Sequence, residues 1–120
     1  MKRLESREDY LEAILQLSKK GDVVHAVDVA HELGFSKPSV SVAMSKLKDA
    51  GLIEITHKGQ ITLTPEGHEI AGKTLEKHQL LASFFISLGV DKTTAFEDAC
   101  RVEHDLSDET WKALKNHIQK

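Results

Sequence analysis

The sequence predicts a mainly α-helical protein that contains one small β-hairpin. Two observations predict the helices: apolar residues recur at helical spacing along most of the chain, and Ser or Thr residues stand where helices should begin. A third predicts the hairpin, because two short alternating runs, residues 52–56 and 61–64, flank a turn that contains Gly59. We expect a winged helix-turn-helix domain over residues 1–65 and a helical domain over residues 66–120.

The composition is that of an ordinary folded protein. The 120 residues are 40% hydrophobic and 29% charged, and a chain of this length can bury a core without disulfides. No apolar run approaches the roughly 20 residues that cross a bilayer, and the first residues lack a signal-peptide core. The single cysteine, Cys100, excludes an internal disulfide and fits a reducing compartment, so we expect a cytoplasmic protein.

The first part of the chain has the pattern of a helix-turn-helix. Ser6 is a candidate N-cap for a first helix that runs to about Lys20. A brief helix follows and closes at Gly34, and Ser36 then caps a helix that runs to about Ala50. Two short helices joined by a tight glycine-containing turn are typical of helix-turn-helix domains. The hairpin that follows them would be the wing.

The start of the Ser36-capped helix and the tip of the hairpin form the candidate DNA-binding surface. Residues 36–60 carry a net charge of +2, although the whole chain carries −3, so any nucleic-acid contact is expected in this region. The small polar and basic candidates are Ser36, Lys37, Pro38, Ser39, Ser41, Lys46 and, on the wing, Lys58. None is an arginine that could bind guanine through two hydrogen bonds, so apolar contact and DNA shape should carry part of the preference. A winged helix used only for protein contacts is the alternative.

The second half of the chain predicts three helices, of which the first is long. Thr64 is its N-cap, a proline occupies its first position, and it runs to about Leu88. Its apolar residues are more numerous than one stripe inside a monomer can cover, so we expect a two-fold contact with a second subunit. Another helix should run from Thr93 to about Leu106, and Ser107 caps the last one.

Within the helix predicted over residues 93–106, the five residues 100–104 include three side chains of metal-ligand type. Cys100, Glu103 and His104 fall on one face at a rotation of roughly 100° per residue. Taken alone, the set also fits a buried structural cysteine beside a solvated Glu-His pair. An enzyme with Cys100 as nucleophile and His104 as base is a further alternative, but no orienting group, oxyanion site or substrate pocket is indicated, and we expect no enzyme.

Outside that helix, Asp9, Glu12 and His78 are also of metal-ligand type. Asp9 and Glu12 stand opposite the apolar stripe of the first helix, and His78 lies midway along the long helix. By spacing alone, the two carboxylates form an ordinary solvated face, and a lone helical histidine is more often a surface or core residue than a ligand.

Four stretches occur in the order found in one known family: EDYLE at residues 8–12, LTPEG at 63–67, KHQLL at 77–81 and CRVEHDLS at 100–107. Together with the winged helix, they resemble the diphtheria toxin repressor and manganese transport regulator family of metal-dependent transcriptional repressors over essentially the whole chain. The resemblance implies a homodimer that binds a palindromic double-stranded operator. It also implies a divalent metal bound between the winged-helix domain and a helical dimerisation domain, and no membrane or small organic substrate.

Carried over residue by residue, the resemblance implies six metal ligands, namely Asp9, Glu12, His78, Cys100, Glu103 and His104. Manganese-selective members have a glutamate at the position of Cys100, whereas iron-responsive members have the cysteine but a methionine at the position of Asp9. The set is therefore a hybrid, and we expect Fe(II), with Mn(II) close behind. A metal-independent winged-helix regulator or protein-interaction module, which would show no chelator effect, is the alternative.

Two further departures from the family concern its additional parts. Some members have an ancillary metal site, and this chain has Ala82 and Phe96 at the corresponding places, where neither side chain can ligate. The resemblance therefore implies that the ancillary site is missing. The chain stops at Lys120, so we also expect no SH3-like C-terminal domain.

Overall fold

The computed structural model describes residues 7–21 and 23–119, so the predicted cap Ser6 lies outside the described residues. Within these ranges the helices and strands are α1 (Arg7–Lys19), α2 (Ala26–Leu33), α3 (Lys37–Asp49), β1 (Ile53–Ile55), β2 (Ile61–Leu63), α4 (Pro65–Ser87), α5 (Lys92–Val102) and α6 (Asp108–Ile118). The predicted mainly helical fold with a small hairpin is confirmed. The chain forms two compact units, one up to residue 73 and one from residue 74, and α4 contributes to both.

In the first unit, α1, α2 and α3 pack against one another around a buried apolar core that includes Leu11, Ile14, Val29 and Val40. Gly34 ends α2 with a left-handed backbone (φ 72°), and its N–H donates to the carbonyl oxygen of Ala30. The N-cap of the next helix lies two residues later. There the Ser36 hydroxyl accepts a hydrogen bond from the Ser39 N–H at 3.3 Å, which confirms the predicted N-cap of α3.

The hairpin follows α3 directly. Strands β1 and β2 pair antiparallel, with Ile53 opposite Leu63 and Ile55 opposite Ile61, and Val24 adds an isolated bridge to Ile61. In the turn, the Thr56 hydroxyl oxygen accepts hydrogen bonds from the N–H groups of Lys58 (3.3 Å) and Gln60 (3.1 Å). A helix-turn-helix followed by this hairpin is a winged helix.

Thr64 and Gly67 connect the hairpin to α4. The Thr64 hydroxyl donates to the Gly51 carbonyl oxygen at 2.8 Å and accepts from the Gly67 N–H at 3.2 Å. Gly67 is buried, and a Cβ atom placed there would lie 1.9 Å from the carbonyl oxygen of Leu52. The first turn of α4 can therefore approach the start of the hairpin this closely only because residue 67 has no side chain.

In the second unit, α4, α5 and α6 pack around a small core. Leu81, Ala82 and Ala99 are buried at its centre, and the partly buried side chains packed against them are Phe85, Val102, Leu106, Trp111 and Leu114. The side chain of Asp91 accepts from two N–H groups at the start of α5, and Ser107 caps α6 by accepting from the Thr110 N–H. Lys115 forms an ion pair with Glu76 and so joins α6 to α4.

Helix α5 is shorter than predicted. We expected it to continue to about Leu106, but its last residue is Val102 and residues 103–105 form a turn. The Asp105 N–H donates to the Val102 carbonyl oxygen, three residues back, at 3.0 Å. This bond closes a tighter turn than the α-helical bond, which reaches four residues back. Ser107, the N-cap of α6, follows soon after this turn. The chain therefore leaves the axis of α5 before it reaches Ser107.

Apolar residues remain exposed at the end of α4 and on α5. Ile86 is 40% exposed, Leu88 66% and Phe96 37%. None of the helices in the described ranges has the length and apolar character needed to span a membrane.

Candidate metal centre and nucleic-acid interface

The end of α5 gathers the thiol, the carboxylate and the imidazole that the sequence placed on one helical face. Cys100 lies in the last turn of α5, Glu103 is the C-cap residue directly after the helix, and His104 is the next residue. Although the helix ends at Val102, Glu103 keeps a helical backbone (φ −58°, ψ −30°), so the three side chains still project to the same side. One ligand atom from each of the three lies within 4.8 Å of the others.

These distances suit one metal ion. Two donors on the same ion lie at most roughly 4.2–4.6 Å apart, since bonds to nitrogen, oxygen and sulfur are about 2.1–2.3 Å long. Donors that lie within 4.8 Å of one another thus need only small side-chain adjustments to share an ion. The Glu103 side chain is 0% exposed and one of its oxygens lies 3.4 Å from His104 Nε2. A buried carboxylate among metal-ligand groups has the chemistry that a divalent cation stabilises.

His78, in the middle of α4, is the fourth predicted metal ligand in the second unit. A His78 ring nitrogen and a Glu103 carboxylate oxygen lie within 4.8 Å of each other. Its Nε2 atom is 3.1 Å from the backbone carbonyl oxygen of Phe96, and the two rings meet edge to face with centroids 5.6 Å apart. Metal-bound histidines commonly donate their second ring N–H to a carbonyl in this way.

The two carboxylates on α1 are buried. Asp9 is 2% exposed and Glu12 is 5% exposed, so the alternative of an ordinary solvated helix face does not hold for them. Positions i and i+3 share one face of a helix, so both side chains project from the same side of α1. Two buried carboxylates on one helix face carry a desolvation cost that needs a compensating cation or donor.

Ala82 and Phe96, which the sequence resemblance placed at the positions of an ancillary metal site, have side chains without a donor atom. Ala82 is fully buried in the apolar core of the second unit, and the Phe96 ring packs against His78. Neither side chain can bind a metal ion.

The predicted DNA-contacting residues lie on the outward side of α3 and on the wing. Val40, Met44 and Leu47 are buried, which directs the opposite side of α3 to solvent. The predicted residues that are exposed are Ser36, Lys37, Pro38, Ser41, Lys46 and Lys58, while Ser39 is half-buried. The Ser36 hydroxyl is occupied in capping α3, which makes it a positioning group for the first turn of the helix.

Two residues next to this surface, Arg7 and Val42, were not among the predicted DNA contacts. An open concavity beside α3 is lined by Arg7 of α1 and by Val42 and Lys46 of α3, among others. Val42 is 56% exposed, although it is apolar. The sequence held a signal for it, because Val42 is two residues from the buried Val40 and so lies roughly 200° around the helix.

A winged helix and a separate helical unit that gathers thiol, carboxylate and imidazole groups define a class of protein, the metal-responsive DNA-binding regulators. Two family models match the chain and identify the family. Residues 3–61 match the N-terminal DNA-binding domain of the iron-dependent repressors, and residues 64–120 match their metal-binding and dimerisation domain. The chain belongs to the iron-dependent repressor family, as the sequence resemblance predicted. It is a metal-dependent transcriptional repressor and not an enzyme.

Three individual relatives of the chain are also described as transcriptional regulators or repressors. The chain is 36% identical over 118 residues to the transcriptional regulator MntR of Escherichia coli O6:H1, a match that covers 98% of this chain and 76% of that protein. It is also 36% identical to an HTH-type transcriptional regulator of Methanocaldococcus jannaschii, covering 97% of this chain and 94% of the relative. A solved manganese-dependent transcriptional repressor in complex with manganese has a TM-score of 0.86 at 28% identity, over 95% of this chain. The chain spans 53% of the length of that solved chain.

Proposed function

We propose that this chain is a homodimeric repressor of metal-ion homeostasis that binds a palindromic operator when loaded with Mn(II) or Fe(II). Its winged-helix domain, residues 1–65, would contact DNA, and residues 66–120 would hold the metal and the second subunit. The observation that carries the proposal is the group formed by Cys100, Glu103 and His104, whose ligand atoms lie within 4.8 Å of one another in the metal-binding domain.

The proposed metal site has six ligands, namely Asp9, Glu12, His78, Cys100, Glu103 and His104. Cys100, Glu103 and His104 are supported by their mutual distances, and His78 by its distance to Glu103 and by its hydrogen bond to the Phe96 carbonyl. Asp9 and Glu12 are supported by the family resemblance and by their burial on α1. A bound cation would compensate the desolvation of these carboxylates.

The preference of the proposed site for Mn(II) or Fe(II) depends on the types of its ligand atoms. Three carboxylates suit a hard ion such as Mn(II), whereas a thiolate raises the affinity for later, softer ions. The E. coli relative is named MntR and the solved relative is described as manganese-dependent, which favours Mn(II). Cys100 favours Fe(II). We therefore propose that both ions act on this chain and that Zn(II) or Co(II) binds without being the physiological signal.

In this proposal, the ligands transmit the metal signal through the chain's own elements. The bound metal supplies a positive charge that several side chains share. Asp9 and Glu12 belong to α1, which packs against the recognition helix α3, so fixing these carboxylates limits the positions that α3 can take. A coupling of roughly 1–3 kcal/mol, or about 5–150-fold in DNA affinity, is ordinary for such a switch.

The dimer determines the form of the operator. A two-fold dimer presents two copies of α3, so its operator should be a palindrome with half-sites about one helical turn, or a multiple of one, apart. The apolar residues exposed at the end of α4, Ile86 and Leu88, support the second-subunit contact.

The test is a DNA-binding titration under anaerobic conditions. A labelled duplex from upstream of the protein's own gene, or one enriched from a random pool, is titrated with protein in chelator, Mn(II) or Fe(II) at fixed salt, because phosphate contacts make affinity salt-dependent. We expect tight binding only with metal. Equal binding in chelator would overturn the metal-dependent mechanism.

Variants of two ligands connect the response to the site. Cys100→Ala and Glu103→Ala should each abolish the metal-stimulated binding and leave the dimer intact on gel filtration. Glu97→Ala is the matched control, because Glu97 is an exposed carboxylate on the same helix, α5. An unchanged metal response in both ligand variants would contradict the site assignment.

A further inference from the structure

Val42 is an apolar side chain at the centre of the outward side of the recognition helix. The buried residues Val40, Met44 and Leu47 define the inward side of α3. At about 100° per residue, position 42 lies almost opposite their mean direction. Its 56% exposure agrees with this geometry and makes it one of the most exposed large apolar side chains in the described part of the chain.

The neighbours of Val42 suit a nucleic-acid surface. The concavity that Val42 lines also contains the side chains of Arg7 and Lys46, whose charges can contact phosphates. Ser41 precedes Val42 and is exposed, and a serine hydroxyl can hydrogen-bond to any base edge. An apolar group flanked by cations and hydroxyls therefore faces the side from which the major groove would approach α3.

The side-chain chemistry of valine limits which base Val42 can recognise in the major groove. Its side chain neither donates nor accepts a hydrogen bond, so it cannot bind the polar edges of guanine, cytosine or adenine. In unmodified DNA, the one apolar group exposed in the major groove is the C5-methyl group of thymine.

We propose that Val42 reads a thymine methyl group in each operator half-site and so acts as a specificity-determining residue. The inference rests on the proposed function, since it assumes that α3 enters the major groove. The sequence predicted only that apolar contact contributes to the preference for certain DNA sequences, whereas this inference assigns such a contact to Val42 and to thymine.

The test removes single methyl groups from the DNA. An operator is enriched from a random duplex pool by the Mn(II)-loaded protein, and each thymine of one half-site is then replaced in turn by deoxyuracil. Deoxyuracil pairs as thymine does but lacks the methyl group. We expect one position at which the replacement weakens binding of the wild-type protein by about fourfold, the value of one buried apolar carbon. In Val42→Ala the same replacement should change affinity by less than about twofold, because the contact is already lost.

Two further variants make the result specific. Val42→Ile keeps an apolar group at the position and should keep the deoxyuracil sensitivity. Val27→Ala removes a valine of similar exposure, 50%, from α2 and should leave the wild-type pattern unchanged. The inference is overturned if Val42→Ala retains the wild-type sensitivity, or if no thymine of the half-site is sensitive in the wild-type protein.

Failure of the proposed function gives a different result. Pool enrichment that is equally strong in chelator would overturn metal control but leave the thymine contact testable on the same duplex. A pool with no enrichment in any metal would overturn both the proposed function and this inference.

Discussion

The Nε2 atom of His78 lies 3.1 Å from the backbone carbonyl oxygen of Phe96, which joins the middle of α4 to α5. A carbonyl oxygen only accepts hydrogen bonds, so Nε2 must carry the hydrogen in this contact. In the neutral imidazole, Nδ1 then holds the lone pair that a metal ion requires. The fold thus fixes the tautomer of His78 before any metal binds.

His78→Ala should lower the affinity for Mn(II) by at least about tenfold, since even disturbing the outer hydrogen bonds of a metal site commonly costs that much. Calorimetric titration of the metal-free protein measures the change. His68→Ala is the control, because His68 is an exposed histidine on the same helix. If both variants bind Mn(II) as the wild-type protein does, His78 is not a ligand.

Cys100 should decide the metal preference. A thiolate ligand gives Co(II) an intense near-ultraviolet charge-transfer absorption, which we expect in the wild-type protein and not in Cys100→Ser. Cys100→Glu replaces the soft donor by a hard one and should shift the preference towards Mn(II) by about tenfold relative to Co(II).

The measurement for Cys100 is a pair of competition titrations on the metal-free dimer, with the Co(II) spectrum as the direct readout. A Co(II) complex whose spectrum lacks the thiolate band in the wild-type protein would place the Cys100 sulfur outside the coordination sphere. In that case, the preference should also be the same in the wild-type protein and in Cys100→Ser.

Local sequence signals predicted the elements well because caps and turns are set by neighbouring residues. Ser36, Thr64 and Ser107 each stand at the helix start that they predicted, with a hydroxyl that accepts from the first turn. The end of α5 was missed because residues 103–106 contain no glycine or proline stop signal.

The candidate site shows the limit of such signals. The periodicity of α1 favoured a solvated position for Asp9 and Glu12, yet both are buried. Burial is decided by how elements pack, and the helical pattern of α1 shows its apolar face but not whether its polar face is also buried. Ligand types and their order along the chain were enough to indicate the family, whereas the tautomer of His78 required the position of the Phe96 carbonyl.

Gly67→Ala should destabilise the protein by about 1–3 kcal/mol, the usual cost of forcing extra atoms into a packed site. The added Cβ atom would lie 1.9 Å from the Leu52 carbonyl oxygen and 2.9 Å from its carbon, and these backbone atoms can move only with the hairpin. Urea unfolding of the metal-free protein measures the effect.

Gly72 provides a matched control on the same helix, because a Cβ atom there would meet nothing within 4 Å. Gly72→Ala should stabilise the protein by about 0.5–1 kcal/mol, since alanine loses less backbone entropy in a helix than glycine does. Opposite signs for the two substitutions are expected. Equal effects would mean that the contact between Gly67 and Leu52 does not limit stability.

Lys46 on α3 and Lys58 on the wing should act through phosphates and not through base edges. Each contact releases about one condensed counterion per subunit. Lys46→Ala in a dimer should therefore weaken the salt dependence, making the negative slope of log affinity against log salt smaller in magnitude by about two. The loss of affinity should be similar for specific and random duplexes, because phosphates carry no sequence information. Lys112→Ala, on α6 of the other unit, is the control and should leave the slope unchanged. A loss confined to the specific operator would instead assign Lys46 to a base.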